Sequence, residues 1–277
     1  MGGFFGVVSK EDCVSDLFYG TDYHSHLGTK RGGLAVKNSS DYIRYIHDIT
    51  NSPFRTKFET DIHKMHGNKG IGIISDNEDQ PILVHSHLGT FAIVTIGVIQ
   101  NRADILKQIL KKKSAHFSEL NEGEINPTEL VASIINQEDT FEAGIQKVYQ
   151  TIEGSCSMLI LTDSGIYAAR DRLGRTPVII GEKEGALSVT FETCAFYNLN
   201  FRIKKYLGPG ECVFINEEGL ELKIAPGDQQ RICSFLWIYY GYPSSSYEGI
   251  NVEMVRNSCG ELLAKNDDCL LYTSDAA

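Results

Sequence analysis

The chain has 277 residues, of which 42% are hydrophobic and 22% are charged, and its formal net charge is −10. That length is enough for one large domain or two ordinary ones, and the composition is typical of a globular protein with a hydrophobic core. The negative charge argues against a nucleic-acid partner, because no basic stripe offsets it. No segment approaches the roughly 20 apolar residues of a membrane span, so no membrane partner is expected.

The cysteines indicate the compartment. They are odd in number, scattered along the chain, and free of any Cys-x-x-Cys pair: Cys13, Cys156, Cys194, Cys212, Cys233, Cys259 and Cys269. Such a pattern favours reduced thiols over a disulfide framework or a zinc site. It predicts a cytoplasmic protein.

The first predicted element is a strand that begins almost at residue 1. Its sequence FFGVV, at residues 4–8, combines aromatic and β-branched side chains. A chain that starts on a strand holds its second residue rigidly at the edge of the core, where an N-terminal nucleophile would lie. Residue 2 is Gly, which offers no side chain for that role.

Short strands joined by turn residues predominate further along. Four antiparallel hairpins are predicted, with turns at residues 88–90, 163–165, 184–185 and 218–219. Helices are fewer. The lysines at residues 111–113 end one amphipathic helix, and Asn126 caps the next, with Pro127 at its first position. Asp139 and Glu142 resemble a capping box that begins a third. This mixture predicts an α+β layered domain.

The last part of the chain is less regular. Residues 235–240 are apolar on both faces and are interpreted as a strand, and residues 252–265 predict an amphipathic helix. The final nine residues, CLLYTSDAA at 269–277, show no periodicity, and we interpret them as a truncated or non-native end.

Five segments, in order, resemble the N-terminal half of amidophosphoribosyltransferases. They are LFYGTDYHSHLGTKRGGLAV (17–36), YAARDRLGRTPVIIG (167–181), SVTFETCAF (188–196), LGPGECVFI (207–215) and CSFLWIYYGYPSSSYEGINVEMVRNSCGELLA (233–264). Each motif alone is weak, but five in the family's order are specific. The resemblance covers nearly the whole chain to about residue 268.

The resemblance implies a glutaminase-type domain at residues 1–230, with the N-terminal-nucleophile fold: a four-layer αββα sandwich of two antiparallel sheets between helices. Residues 231–268 would begin the phosphoribosyltransferase domain. In the family the first domain releases ammonia from glutamine, and the second adds it to phosphoribosyl pyrophosphate in purine nucleotide synthesis. The two-carboxylate pyrophosphate loop of that second domain, whose cofactor is Mg²⁺, does not occur in this sequence. The expected partners are the chain's own transferase domain and further copies in a homo-oligomer.

The family's glutaminase chemistry needs a thiolate assisted by its own free α-amino group. The family begins Cys-Gly-x-x-Gly, and the aligned stretch here begins at Gly2, so the nucleophile is missing. The family's Arg that grips the glutamine carboxylate aligns with Ser75, followed by Asp76. Losing that charge-assisted bond costs roughly 1.5–3 kcal/mol, and Asp76 would repel the carboxylate.

The remaining family positions are altered as well. The oxyanion-hole Asn aligns with Ile96, which cannot donate a hydrogen bond, although the Gly97 amide remains. The Asp for the substrate amino group aligns with Pro127, and the Arg of the His-Arg-Gly motif aligns with Leu27. The resemblance therefore implies a glutaminase fold without glutaminase activity.

Other matched positions would shape the sheets rather than react. They are His26, Gly28, Arg170, Asp171, Gly174, Pro177 and Glu192. Cys233 matches a position that supplies one ligand to the iron–sulfur cluster of some members, but a single thiol cannot hold a cluster, so none is expected here. No cofactor is therefore expected within the chain itself.

Three alternatives remain beside this interpretation. Cys13 as a substitute nucleophile lacks a free amino group and a marked His partner, so a buried or loop thiol is the better interpretation. The pairs His24/His26, His63/His66 and His85/His87 would permit metal binding, but no third ligand is marked near them. The last alternative concerns function. In the main interpretation the domain is silent and supports an ammonia-dependent transferase. In the alternative it is a regulatory module that binds a different small molecule in the emptied glutamine pocket, near Ser75 and Ile96.

Overall fold

A computed structural model describes residues 2–111, 117, 120–121 and 124–266. The predicted tail at 269–277 and two of the three lysines at 111–113 lie outside these residues. In chain order the strands are β1 (Gly2–Ser9), β2 (Arg31–Lys37), β3 (Tyr42–Asp48), β4 (Lys69–Ser75), β5 (Ile82–Ser86), β6 (Gly89–Ile99), β7 (Leu120–Asn121), β8 (Glu124–Ile125), β9 (Gly154–Leu161), β10 (Ile166–Ala169), β11 (Ile179–Lys183), β12 (Ala186–Thr190), β13 (Arg202–Tyr206), β14 (Cys212–Asn216), β15 (Gly219–Ile224), β16 (Ser246–Tyr247) and β17 (Ile250–Asn251). The α-helices are α1 (Val14–Asp22), α2 (Phe54–Phe58), α3 (Arg102–Lys111), α4 (Pro127–Ile135), α5 (Phe141–Thr151), α6 (Cys194–Asn198) and α7 (Val252–Asn266).

Two antiparallel sheets dominate the fold. The first has the spatial order β13-β11-β12-β1-β4-β2-β3, and the second has the order β15-β14-β10-β9-β6-β5. One apolar cluster fills the space between them, with contributions from β1, β4, β6 and β9. A second cluster joins the outer face of the second sheet to α3, α4 and α5, and a third joins the first sheet to α1, α2 and α6. The predicted four-layer αββα sandwich is therefore confirmed.

Strand β1 lies at the centre of the first sheet, paired with β4 on one side and β12 on the other. Phe4 and Val8 point into the cluster between the sheets, whereas Phe5 and Val7 point to the helices on the outer face. Because successive side chains of a strand alternate between faces, this strand is apolar on both, and all four side chains are at most 1% exposed. Gly2 is therefore held in the interior as the sequence predicts.

All four predicted hairpins form, as β5–β6, β9–β10, β11–β12 and β14–β15. Gly89 and Gly185 occupy their turns at φ of +96° and +75°, which other residues rarely adopt. Helix α4 begins as predicted: Pro127 is its first residue, and the Asn126 side chain accepts a hydrogen bond from the Thr128 amide at 2.9 Å.

Two local predictions are wrong. The first is the capping box of α5. Thr140, not Asp139, caps this helix, because its hydroxyl accepts the hydrogen bond from the Ala143 amide at 3.2 Å. Glu142 instead accepts a hydrogen bond from the Tyr167 hydroxyl, so it serves the contact between α5 and β10 rather than the cap.

The second is the segment predicted as a strand at 235–240, which is instead a π-helix, Leu236–Tyr240. The Arg256 guanidinium, from α7, donates to the carbonyls of Trp237, Tyr239 and Gly241 at 2.9–3.3 Å. These bonds satisfy backbone groups at the end of the π-helix, so the segment needs no neighbouring strand. The predicted helix at 252–265 forms as α7. No helix in the described ranges is long and apolar enough to cross a membrane.

Candidate functional site

A cavity of about 450 Å³ opens at the beginning of β1. The sequence-predicted positions of the glutaminase site meet on its walls: Gly2, Ser75, Ile96, Gly97 and Pro127. They come from four separate elements, so the fold brings them together. Leu27, the remaining altered position, lies outside this wall and is buried in the cluster between the sheets.

The pairing of the strands brings these residues to one place. Gly2 lies directly opposite Ser75 in the β1–β4 ladder, and Gly97 lies opposite Cys156 in the β6–β9 ladder. Pro127 enters the wall because α4 begins there. The Thr128 hydroxyl contacts the Thr95 hydroxyl on β6 at 2.6 Å, which fixes the start of α4 against the strand.

The loop after Ser75 is tied down by its own side chains. The Ser75 hydroxyl donates to Glu78 Oε2 at 2.9 Å and accepts from the Glu78 amide at 3.2 Å. Asp76 Oδ1 accepts from the Thr29 amide at 2.8 Å. Both side chains therefore hold the loop, and neither supplies the positive charge that a glutamine carboxylate needs.

Further along the same loop, the buried Gln80 side chain bonds to β6. It accepts from the Thr95 amide at 2.7 Å and donates to the Thr95 carbonyl at 3.2 Å. These two bonds fasten the loop to the strand that carries Ile96 and Gly97. Gly28, one of the predicted structural positions, packs against this wall from behind: a Cβ there would come within 2.9 Å of Ile74 Cγ2.

The backbone leaves no room for a side chain at position 2. A Cβ on Gly2 would lie 2.5 Å from the Ile74 carbonyl oxygen, a distance that real Cβ atoms do not show. A Cβ on Gly97 would lie 2.0 Å from the Ser155 carbonyl oxygen. The frame around Gly2 is thus fitted to glycine.

Two cysteines line the cavity, Cys156 and Cys233. Burial, with a smaller contribution from Asp171, raises the pKa of the Cys156 thiol to about 12. The thiol therefore stays protonated at neutral pH and is a poor nucleophile. Cys13, the alternative nucleophile raised by the sequence, is fully buried at the start of α1, and burial raises its pKa well above the usual value.

The cavity is roofed by the C-terminal segment through Cys233, Leu236 and Tyr240. The Cys233 amide donates to the Arg175 carbonyl at 3.1 Å. At its far end the roof is held by Glu192, a fully buried carboxylate that accepts from the Tyr242 amide at 2.7 Å and from the Tyr247 hydroxyl.

His26 and Glu192, both predicted as structural positions, contact each other with Nε2 and Oε2 2.7 Å apart. The remaining structural positions, Arg170, Asp171, Gly174 and Pro177, belong to the turn between β10 and β11 and do not themselves line the cavity. Arg170 is fully buried, and its ion pair is with Glu248 rather than with Asp171 or Glu192.

The histidine pairs were the candidates for a metal site. In the part of the chain that the structure describes, no group of three or more His, Cys, Asp or Glu side chains is placed to hold a metal ion. His24 is fully buried, its Nδ1 lies 2.8 Å from the Gly20 carbonyl, and its Nε2 lies 3.0 Å from the Thr190 hydroxyl. The His24 ring therefore joins α1 to β12 inside the fold.

This burial makes folding stability depend on pH. Burial lowers the pKa of His24 from 6.5 to about 4, and the Glu192 charge offsets it only in part. Because the unfolded chain binds the proton more readily, we expect this contribution to be complete above pH 6.5 and lost as the pH falls toward 4, by about 3 kcal/mol. Urea unfolding across this range should show that His24→Gln lowers stability above pH 6.5 and flattens the fall of stability in acid. The exposed His63→Gln is the control, and an unchanged slope in His24→Gln would contradict the assignment.

Comparison with known proteins agrees with this geometry. Residues 68–198 match a family model described as a glutamine amidotransferase domain. The amidophosphoribosyltransferase of Methanocaldococcus jannaschii is 28% identical over 291 residues, covering 96% of this chain and 61% of that relative. A solved structure described as glutamine phosphoribosylpyrophosphate amidotransferase from B. subtilis, complexed with ADP and GMP, superposes with a TM-score of 0.87 at 25% identity, covering 97% of this chain and 59% of that one.

The chain is therefore similar to the N-terminal part of amidophosphoribosyltransferases, and residues 68–198 resemble a glutamine amidotransferase domain. It spans only 56% of the Bacillus subtilis amidophosphoribosyltransferase, to which it is 26% identical over 95% of its own length. A glutamine aminotransferase class-II domain protein from Silicibacter pomeroyi shares the fold alone, with a TM-score of 0.52 and 10% identity.

Sequence reasoning missed several residues that line the cavity. Arg102, Arg175 and Tyr240 line it, although they are far apart in the chain and belong to none of the altered family positions. Only the fold, which brings the start of α3, the β10–β11 turn and the π-helix to one cavity, reveals them.

Proposed function

We propose that this amidotransferase domain is inactive as a glutaminase and supports an ammonia-dependent amidophosphoribosyltransferase in the intact polypeptide. The observation that carries this proposal is the closed space at Gly2, where even a Cβ would meet the Ile74 carbonyl oxygen. Ser75 and Ile96 stand where the family has its carboxylate-binding Arg and its oxyanion-hole Asn, and the loss of these two side chains also argues against glutaminase activity. In this role the domain packs against the transferase domain and shapes access to its site.

The intact protein would then act in purine nucleotide synthesis in the cytoplasm, as a homo-oligomer, with Mg²⁺ at the transferase site. Within this chain no iron–sulfur cluster is proposed, because Cys233 is its single matched ligand position. These statements extend the homology to whole enzymes, of which this chain covers little more than half.

The test is an assay of phosphoribosylamine formation by the product of the full reading frame, with phosphoribosyl pyrophosphate and Mg²⁺. Nitrogen is supplied first as glutamine and then as ammonium. We expect product with ammonium alone. Product with glutamine would overturn the proposal, because it requires a nucleophile that Gly2 cannot provide. Silence with both would leave the second candidate, a small-molecule-binding regulatory module in the same cavity.

A further inference from the structure

The cavity wall carries four charged side chains: Asp76, Glu78, Arg102 and Arg175. The two acids are engaged, Asp76 with the Thr29 amide and Glu78 with the Ser75 hydroxyl. Within the described ranges, neither guanidinium has a hydrogen bond or an ion pair to a side chain or carbonyl.

The neighbours of both arginines are engaged elsewhere. Asp104, two residues after Arg102, has an ion pair with Lys107 at 3.7 Å. Asp171, the carboxylate closest in sequence to Arg175, accepts from the Leu173 and Thr176 amides at 3.1 and 3.2 Å. The positive charge at the cavity is therefore available to a ligand.

The rest of the wall is largely apolar. Ile73 and Ile96 come from the two sheets, and Leu236 and Tyr240 come from the roof. A volume of about 450 Å³ lies within the range of small-molecule sites, which are mostly apolar with a few placed polar groups. The wall thus fits a ligand with an apolar body, and the guanidiniums fit an anionic group, which arginine binds bidentately.

We propose that the cavity binds a small organic anion, whose apolar body packs against Ile96, Leu236 and Tyr240 and whose carboxylate or phosphate group pairs with Arg102 and Arg175. This inference rests on the proposed loss of glutaminase activity, since a working glutaminase would reserve the cavity for glutamine. Arg102 is exposed and Arg175 is partly buried, so the anion lies toward the mouth and the apolar body lies inside. A bound ligand would contact the roof directly, because Leu236 and Tyr240 belong to the π-helix that Arg256 binds.

The test uses four probes that each carry a single phenyl ring: benzoate, phenyl phosphate, benzyl alcohol and benzylamine. Binding is measured by ligand-observed NMR and by thermal shift, because a ligand that binds only the folded state raises the melting temperature. We expect one or both anions to bind and the neutral and cationic probes to bind at least about tenfold more weakly, which corresponds to one charge-assisted contact. The preferred anion then distinguishes a carboxylate from a phosphate ligand.

Variants assign the contacts. Arg102→Gln and Arg175→Gln should each weaken anion binding about tenfold or more, and the double variant should abolish it. Arg172→Gln, at an exposed neighbour outside the cavity, is the matched control and should bind like the parent chain. Failure of both anions to bind, equal binding of benzyl alcohol, or retained binding in the double variant would each overturn the inference. Glutamine hydrolysis by the parent chain, measured in parallel, tests the loss of activity separately.

Discussion

Gly2→Cys will leave the chain without measurable glutamine hydrolysis. Restoring the thiol replaces the residue whose removal costs on the order of 10⁶ in rate, yet two further obstacles remain. The Cβ would lie 2.5 Å from the Ile74 carbonyl oxygen, so β1 must shift before the thiol fits. Ile96 still cannot donate to an oxyanion, and losing one such donor costs about 10²–10³.

The measurement is ammonia release from glutamine by Gly2→Cys, with Gly2→Ala as the matched control. Both variants introduce the same Cβ, and we expect each to lose about 1–3 kcal/mol of unfolding free energy through overpacking. Thermal unfolding of both shows whether they remain folded. Turnover by Gly2→Cys above that of folded Gly2→Ala would mean that the frame still accepts a nucleophile, contrary to the proposed function.

Arg170→Met will destabilise the fold more than either substitution at Gly2. The buried guanidinium donates to the carbonyls of Thr176 and Gly174 at 2.9 and 2.8 Å and to the Leu207 carbonyl. Its contact with Glu248 is an ion pair at 2.8 Å whose angles fall outside those of a hydrogen bond. Methionine has a similar length but leaves these acceptors without donors, so we expect a loss of about 3–5 kcal/mol.

Urea denaturation measures this loss, and Arg172→Met is its control. Arg172 is two residues away and exposed, so its replacement should change stability by no more than about 0.5 kcal/mol. Equal losses in the two variants would show that the buried bonds of Arg170 contribute little. The expected difference would establish that the β10–β11 turn depends on this one side chain.

Sequence reasoning succeeded where the signal is local. Each predicted hairpin has its turn residues between two apolar runs, and glycines at positive φ, as at Gly185, mark the turn directly. The resemblance also predicted which positions meet around Gly2, because motif order implies a known fold. Thr140 was missed since Asp139 and Thr140 are both good caps, and only the helix phase decides between them.

The failures share a physical cause, which is dependence on distant residues. The segment at 236–240 is apolar on both faces, which equally suits a buried strand or a packed helix. Its actual form depends on Arg256, on another helix. Likewise, nothing near Arg102 or Arg175 in sequence indicates that both residues line one cavity.

The central position of β1 has a consequence for how the chain acquires its structure. Phe5 pairs with Gly72 on one side and with Thr190 on the other, so β1 gains its second neighbouring strand only after residue 190 has been synthesised. Until then a strand that is apolar on both faces stays exposed, which makes slow maturation and aggregation the main hazards. We therefore expect the yield of native protein to be limited by the rate of synthesis and by chaperone supply more than by the stability of the finished fold.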